Sequence, residues 1–104
     1  MPIKNIDAAT LKHWMDKGEA ILVDVREPAE HSAGVIPGAI LMPLGNVANF
    51  KLPDIKGKKV VMQCRSGARS LTAGEILLKG NPDLDIYNLA GGILEWAAAG
   101  HSIK

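Results

Sequence analysis

The residues best suited to chemistry follow one short apolar run, in the stretch VVMQCRSGARSLTAGEILL from Val60 to Leu78. Cys64 is the only cysteine of the chain, and Arg65, Gly67 and Arg69 follow it within five positions. Cysteines beside cations or at helix N-termini have their pKa lowered from about 8.5 to roughly 3.5–7.5, which makes them thiolate nucleophiles. The pattern therefore indicates covalent chemistry on sulfur, with no need for a histidine base.

The loop after Cys64 has the features of an anion-binding turn. Gly67 and Ala68 are small enough for the backbone to curl around a ligand, and the first N–H groups of a following helix have no partner inside it. Arg69 falls in the first helical turn, where its side chain leans back and can offer a bidentate fork to an oxyanion. The plainer alternative is that Cys64 is a small buried hydrophobe, as free cysteines usually are. The glycine and the arginines favour the nucleophile.

Strands and helices alternate along the chain. Apolar runs predict strands at Ala20 to Val25, Ile40 to Met42, Lys58 to Cys64 and Asp85 to Ala90. Helical patterns cover Asp7 to Lys17, Glu27 to Gly34, a single turn at Gly45 to Phe50, Gly67 to Lys79, and Gly91 to Gly100. This alternation predicts an α/β fold, with a mostly parallel sheet covered by helices on both faces. Cys64 then lies at the carboxyl edge of the sheet, where ligands bind in such folds.

Two helices carry apolar faces that are expected to pack on the sheet. In the helix after Cys64 the expected face is formed by Ala73, Ile76 and Leu77, widened by Leu71 and Leu78. In the last helix it is formed by Ile93, Trp96 and Ala97.

Composition restricts the remaining possibilities. The 104 residues, 47% of them hydrophobic, predict a single domain over 1–104. A net charge of +1 gives no reason to expect a nucleic-acid or membrane surface. The densest basic patch is expected to be only a solvated turn: Lys51, Lys56, Lys58 and Lys59. One cysteine allows no internal disulfide and no Cys/His zinc cluster, and the start of the chain lacks a signal peptide, so a soluble cytoplasmic protein is expected.

Three segments resemble a known family. CRSGARS, from Cys64 to Ser70, resembles the active-site loop of the single-domain rhodaneses. LVDVREPAEHSAGVIPGAI, from Leu22 to Ile40, resembles the family's upstream signature of Asp-x-Arg, Glu and Gly-x-Ile-Pro-Gly-Ala. YNLAGGILEWAAAG resembles its downstream signature of a strand, Gly-Gly and a helix with Trp. The segments cover most of the chain in the family's order.

The resemblance implies the rhodanese-like fold, with a central five-stranded parallel sheet and helices on both faces. It also implies a thiosulfate sulfurtransferase, in which the Cys64 thiolate attacks the sulfane sulfur of thiosulfate, or of another sulfane-sulfur donor, and carries it as a persulfide. Cyanide, a small thiol or a thioredoxin-like protein then accepts the sulfur. No metal and no other cofactor is expected.

The same resemblance suggests the roles of the site residues. Cys64 is the catalytic residue, and the substrate-binding residues are Arg65, Ser66, Gly67, Ala68, Arg69 and Ser70. Their backbone N–H groups would stabilise the thiolate and the persulfide, as preorganised donors do in an oxyanion hole. Arg69 would bind the sulfonate end of the donor, and Arg65 would add positive charge at the rim.

Other residues of the signatures are expected to support the site. Asp24 would anchor the loop by hydrogen bonds, while Arg26 would pair with a carboxylate such as Glu30. Gly91 and Gly92 would allow tight backbone passage into the last helix. The remaining residues are expected in the core or on the surface: Trp96 in the core, and His13, His31 and His101 as packing or surface residues.

Two other functions stay open. A persulfide carrier or binding module in a sulfur relay would keep Cys64 but require an external acceptor, since no second cysteine can resolve the persulfide. A phosphatase or arsenate reductase of the same fold is less favoured. Tyrosine phosphatases use a Cys-x5-Arg cradle, whereas Cys64 and Arg69 give Cys-x4-Arg, a smaller ring that suits one sulfur better than a tetrahedral anion.

Overall fold

A computed structural model describes residues 3–49 and 57–104. Within these ranges one parallel sheet has the strand order β1-β5-β4-β2-β3. Its strands are β1 (Lys4–Ile6), β2 (Ala20–Asp24), β3 (Ile40–Leu41), β4 (Lys59–Gln63) and β5 (Ile86–Leu89). The helices are α1 (Ala8–Asp16), α2 (Pro28–Ala33), α3 (Ala68–Gly80) and α4 (Gly92–Ala98), with a 3-10 helix at Leu44–Asn49. The predicted five-stranded α/β fold is confirmed.

The central strands are buried on both faces, which explains why they read as continuous apolar runs. Alternate residues of each strand point to opposite faces, so β4 contributes Val60 and Met62 to one core and Val61 to the other. Cys64 belongs to the first core, together with Ala73 and Leu77 of α3. The second core lies under α1 and α4. The side chain of Cys64 is therefore directed toward the face that α3 covers.

The buried face of α3 differs from the prediction. Its buried residues are Ser70, Ala73, Gly74 and Leu77, whereas Leu71 and Ile76 are 37% and 38% exposed. The helix lies close to the sheet through its small residues, since a Cβ at Gly74 would come within 3.3 Å of the Met62 side chain. In α4, Ile93 and Trp96 are buried as predicted, but Ala97 is exposed.

The apolar pattern did not reveal β1, because Lys4–Ile6 is short and two of its three residues are polar. It is held by pairing with β5 and by the Ala90 N–H bond to the Ile6 carbonyl. The predicted turn near Gly45 is the 3-10 helix, while Phe50, Lys51 and Lys56 lie outside the described residues. No helix in the described ranges is long and apolar enough to cross a bilayer.

Candidate active site

Cys64 is the first residue after β4, at the carboxyl edge of the sheet. Cys64 is only 1% exposed. The Gly67 N–H donates a hydrogen bond to its Sγ at 3.1 Å, and the Ser70 hydroxyl oxygen lies 3.3 Å from the sulfur. We call the loop from Cys64 to Ser70, which curls around this sulfur, the cradle.

The cradle changes the acidity of Cys64. Burial raises the pKa of the thiol, and the backbone N–H groups of Ser70, Gly67 and Ser66 at the sulfur lower it. The net effect is a pKa below the ordinary value. A cysteine that is both buried and acidified is a candidate nucleophile rather than an inert core residue.

The cradle is held from behind by the N-terminus of α4. The backbone N–H of Ile93 donates to the Cys64 carbonyl at 2.9 Å, and that of Leu94 donates to the Arg65 carbonyl at 3.2 Å. Gly92 has a φ of +60°, and a Cβ there would come within 2.6 Å of the Cys64 carbonyl oxygen and collide with that of Arg65. With these carbonyls engaged by α4, the cradle's N–H groups are left to face the sulfur. The tight passage predicted for Gly92 is confirmed.

Gly67 is the second point at which a glycine is required. It caps α3 with a φ of +105°, and a Cβ there would collide with the Ala90 carbonyl. Its own carbonyl accepts a hydrogen bond from Asn88 Nδ2 at 3.1 Å. Strand β5 and the turn after it therefore fix the backbone angle at which Gly67 points its N–H to Cys64.

Arg69 does not offer a free fork to the space above Cys64. Its Nη1 and Nη2 bind Glu30 Oε1 and Oε2 at 2.7 and 2.9 Å. The hydrogen bonds from Arg69 are the main reason why the pKa of Glu30 is lowered to about 2. The side chains of Arg69 and Glu30 remain 36% and 33% exposed, so an incoming anion can still reach the pair.

Arg26 does pair with a carboxylate, as predicted, but the partner is Asp24 and not Glu30. Arg26 binds Asp24, with Nη2–Oδ2 and Nε–Oδ1 distances of 2.8 and 2.9 Å. Arg26 also donates to the Gly34 carbonyl at 2.7 Å, and His31 Nδ1 binds Asp24 at 2.9 Å. Burial raises the pKa of Asp24, but the hydrogen bonds from Arg26 and His31 outweigh burial, so the pKa lies below its ordinary value. The cluster joins the end of β2 to the C-terminal end of α2, and the Asp24 side chain bonds to Arg26 and His31 rather than to the loop after Cys64.

The rest of the cradle lies at the surface. Arg65, Ser66 and Ala68 are exposed, and a cavity of about 360 Å³ opens beside Arg65. Ile93, Leu94 and Ile103 contribute its apolar wall. The roles of these cradle residues in binding a substrate stay predictions.

One residue near the sulfur was missed by sequence reasoning. Asn88, 3% exposed, accepts a short hydrogen bond from the Ser70 hydroxyl, and Ser70 in turn contacts Cys64. The available signal was a polar residue inside the buried strand DIYNLA, close to its carboxyl end. Trp96 is in the core as predicted. The histidines have packing or surface positions: His13 is exposed, His31 binds Asp24, and His101 packs on Trp96.

Comparison with known proteins identifies the family of the chain. The family model of the Rhodanese-like domain matches residues 7–99, so the chain belongs to the rhodanese-like family. A protein of Allochromatium vinosum named sulfurtransferase is 37% identical over 100 residues, covering 94% of this chain and 92% of its own length. The thiosulfate sulfurtransferase GlpE of Pseudoalteromonas translucida is 29% identical, with 95% and 93% covered. A human single-domain sulfurtransferase has a similar structure, with a TM-score of 0.81, 25% identity, and 94% and 96% covered.

These likenesses support a transferase enzyme that moves sulfur between a donor and an acceptor.

Proposed function

We propose that the chain is a thiosulfate:acceptor sulfurtransferase that carries sulfur on Cys64. The observation that carries this proposal is the position of the sulfur. It is buried at the carboxyl edge of the sheet, accepts a hydrogen bond from the Gly67 N–H at 3.1 Å, and has a lowered pKa. The names of the relatives are consistent with this chemistry.

The reaction follows in two balanced steps. The Cys64 thiolate attacks the outer sulfur of thiosulfate, the S–S bond of the donor breaks, and sulfite leaves with the bonding electron pair. Cys64 then carries a persulfide anion. Cyanide or a thiolate attacks the outer sulfur, and the electron pair of the S–S bond returns to Cys64. Splitting one transfer into two displacements in this way is covalent catalysis.

The cradle residues would serve both displacements. Backbone N–H groups between Arg65 and Ser70 offer fixed donors to the thiolate and to the persulfide, and no reorganisation is required when charge moves from one sulfur to the next. Arg65 is exposed at the rim, and Arg69 is held by Glu30 within reach of solvent. Both guanidinium groups would attract the negative end of thiosulfate.

A persulfide carrier in a sulfur relay is the second candidate. Cys64 is the only cysteine in the sequence, so its persulfide must be discharged to an acceptor outside the chain. A small thiol or a thioredoxin-like protein would serve as well as cyanide. A cytoplasmic location fits such acceptors and remains a prediction that cell fractionation would test.

Intact-protein mass spectrometry would test the proposal directly. After thiosulfate is added, we expect a gain of one sulfur atom, about 32 Da, that maps to Cys64 and disappears with cyanide as thiocyanate forms. The Cys64→Ser variant is the matched control, since it replaces only the sulfur atom by oxygen. The variant should keep its fold and should gain no mass when thiosulfate is added.

If the folded, reduced protein gains no mass from thiosulfate, the proposal fails. The same measurement with an organic persulfide would then test the relay, and turnover of arsenate or an aryl phosphate would test the phosphatase-like alternative.

A further inference from the structure

The hydrogen bonds behind Cys64 determine where the Ser70 proton points. Asn88 Nδ2 lies 3.1 Å from the Gly67 carbonyl oxygen, which can only accept. The amide nitrogen of Asn88 must therefore face Gly67, and it also donates to Asn5 Oδ1 at 3.0 Å. This fixes the orientation of the amide, so the atom that faces Ser70 is the carbonyl oxygen Oδ1.

An amide oxygen has no proton to give, so Ser70 must donate to it. A serine hydroxyl has one proton and two lone pairs. With its proton directed to Asn88, Ser70 turns a lone pair toward Cys64 Sγ, 3.3 Å away. The Ser70 hydroxyl can then accept a hydrogen bond from the thiol but can give none to a thiolate, so the donors that lower the pKa of Cys64 are the backbone N–H groups of the cradle.

We propose that Asn88 is a positioning residue that directs the Ser70 proton away from Cys64, so that Ser70 favours the protonated thiol and opposes its ionisation. The backbone N–H groups of the cradle act in the opposite direction. The balance between them sets how much thiolate is present before a donor arrives. This inference rests on the proposed function of Cys64 as the sulfur carrier.

Burial makes the arrangement effective. Ser70 is 0% exposed and Asn88 is 3% exposed, so water is not at hand to replace either partner. If Ser70 rotated its proton to a Cys64 thiolate, Asn88 Oδ1 would be left as a buried, unpaired acceptor, which is costly. Once Cys64 carries a persulfide its Sγ has no proton and little charge, so the Ser70–Asn88 bond remains intact without conflict.

The charged groups around Cys64 act independently of this chain of hydrogen bonds. Arg65 follows Cys64 directly, and Arg69 is coupled to Cys64, Glu30 and Asp24 by charge. None of these residues touches Asn88 among the hydrogen bonds of the described residues. Variants of Ser70 and Asn88 therefore leave the charge of the site unchanged.

The test is the pKa of Cys64, measured as the pH dependence of alkylation by iodoacetamide. Cys64 is the only cysteine, so the signal belongs to it alone, and no sulfur donor is needed. In Ser70→Ala, we expect the pKa to fall by about 0.5 to 1, the scale of one hydrogen bond. If it rises or stays unchanged, Ser70 is not holding the proton on the thiol, and the inference is overturned.

A second variant tests Asn88 itself. Asn88→Ala should lower the pKa of Cys64 in the wild-type background, because Ser70 becomes free to donate to the thiolate. In the Ser70→Ala background the same change should have no further effect. An equal shift in both backgrounds would show that Asn88 acts through Gly67 and not through Ser70, which also overturns the inference.

Asn5→Ala is the matched control. It removes the outer hydrogen bond of the same amide but leaves the bonds to Gly67 and Ser70, so the pKa of Cys64 should match that of the wild type. Because alkylation does not depend on sulfur transfer, these results stay informative even if thiosulfate proves not to be the donor.

Discussion

The guanidinium of Arg69 and the carboxylate of Glu30, 39 residues apart in the chain, form a two-bond ion pair at the rim of the cradle. Arg69 is the residue expected to bind the sulfonate of thiosulfate, so Glu30 competes with the donor for the same fork. The pKa of Glu30 is lowered to about 2, so its carboxylate remains charged across the physiological pH range. We therefore expect Glu30 to disfavour the dianionic thiosulfate more than a donor of lower charge.

Glu30→Gln should improve the use of thiosulfate. Loss of one negative charge beside the donor, together with release of the Arg69 fork, should lower the KM for thiosulfate about three- to tenfold. Steady-state kinetics with thiosulfate and with an organic persulfide, which lacks a sulfonate, would check this, and the KM for the persulfide should change little. Glu19→Gln is the matched control, since exposed Glu19 precedes β2 at the opposite edge of the sheet. An unchanged KM for thiosulfate would rule out competition by Glu30.

Arg69→Ala should weaken use of thiosulfate more than use of an organic persulfide, which lacks the sulfonate. Two effects combine: the fork for the sulfonate is lost, and Glu30 is left unpaired next to the donor. The double variant with Glu30→Gln should therefore recover part of the loss, and kcat/KM for both donors would reveal it. Equal losses with both donors would mean that Arg69 organises the cradle instead.

Gly92→Ala should damage stability and sulfur transfer together. The added Cβ meets the carbonyls of Cys64 and Arg65, and the φ of +60° is unfavourable for alanine. We expect a loss of about 2–4 kcal/mol in the free energy of unfolding, measured by urea denaturation. Gly100→Ala is the control, since Gly100 has a φ of +85° but nothing within 4 Å of an added Cβ. It should cost only about 1 kcal/mol and leave sulfur transfer unchanged. Similar costs for both variants would argue against close packing of α4 on the cradle.

Asp24 should contribute to stability in a pH-dependent way. Its pKa in the folded state lies below the model-peptide value of 3.8, so its contribution is complete above that value and is lost as pH falls through the folded pKa. Asp24→Asn leaves the buried Arg26 charge without its carboxylate, which should cost about 3–5 kcal/mol at pH 7. Urea denaturation from pH 7 to pH 2 should show a smaller loss on acidification in the variant. A wild-type acid profile in the variant would contradict this role.

The sequence predicted the fold well because the central strands and three helices have strong local signals. Apolar β-branched runs, the Asp7 cap and the glycine stops are each formed by residues close together in the sequence, so they can be recognised without the tertiary structure. Strand β1 was missed because its three residues are stabilised by pairing with β5, a contact 83 residues distant at Lys4 and Tyr87. Leu71 and Ile76 were misplaced because periodicity cannot tell which apolar residues of a helix meet the sheet.

The site was predictable in part for the same reason. Cys64 and Gly67 lie three residues apart on one continuous stretch, so their spacing in the sequence predicts that they share the site. The partners of Arg26 and Arg69 were not predictable, since the sequence allows either arginine to pair with Asp24 or with Glu30. Asn88 reaches Ser70 across 18 residues, and the packing of α3 on β5 brings them together.

The grip of α4 on the cradle has an evolutionary consequence, because it is made by main-chain atoms. Ile93 and Leu94 hold the Cys64 and Arg65 carbonyls with their N–H groups, which every residue except proline possesses. Leu94 is 49% exposed beside the cavity, so another side chain at this position would leave the bonds that hold the Cys64 loop unchanged. The wall of the cavity beside Arg65 can therefore change in evolution without changing how the backbone holds Cys64.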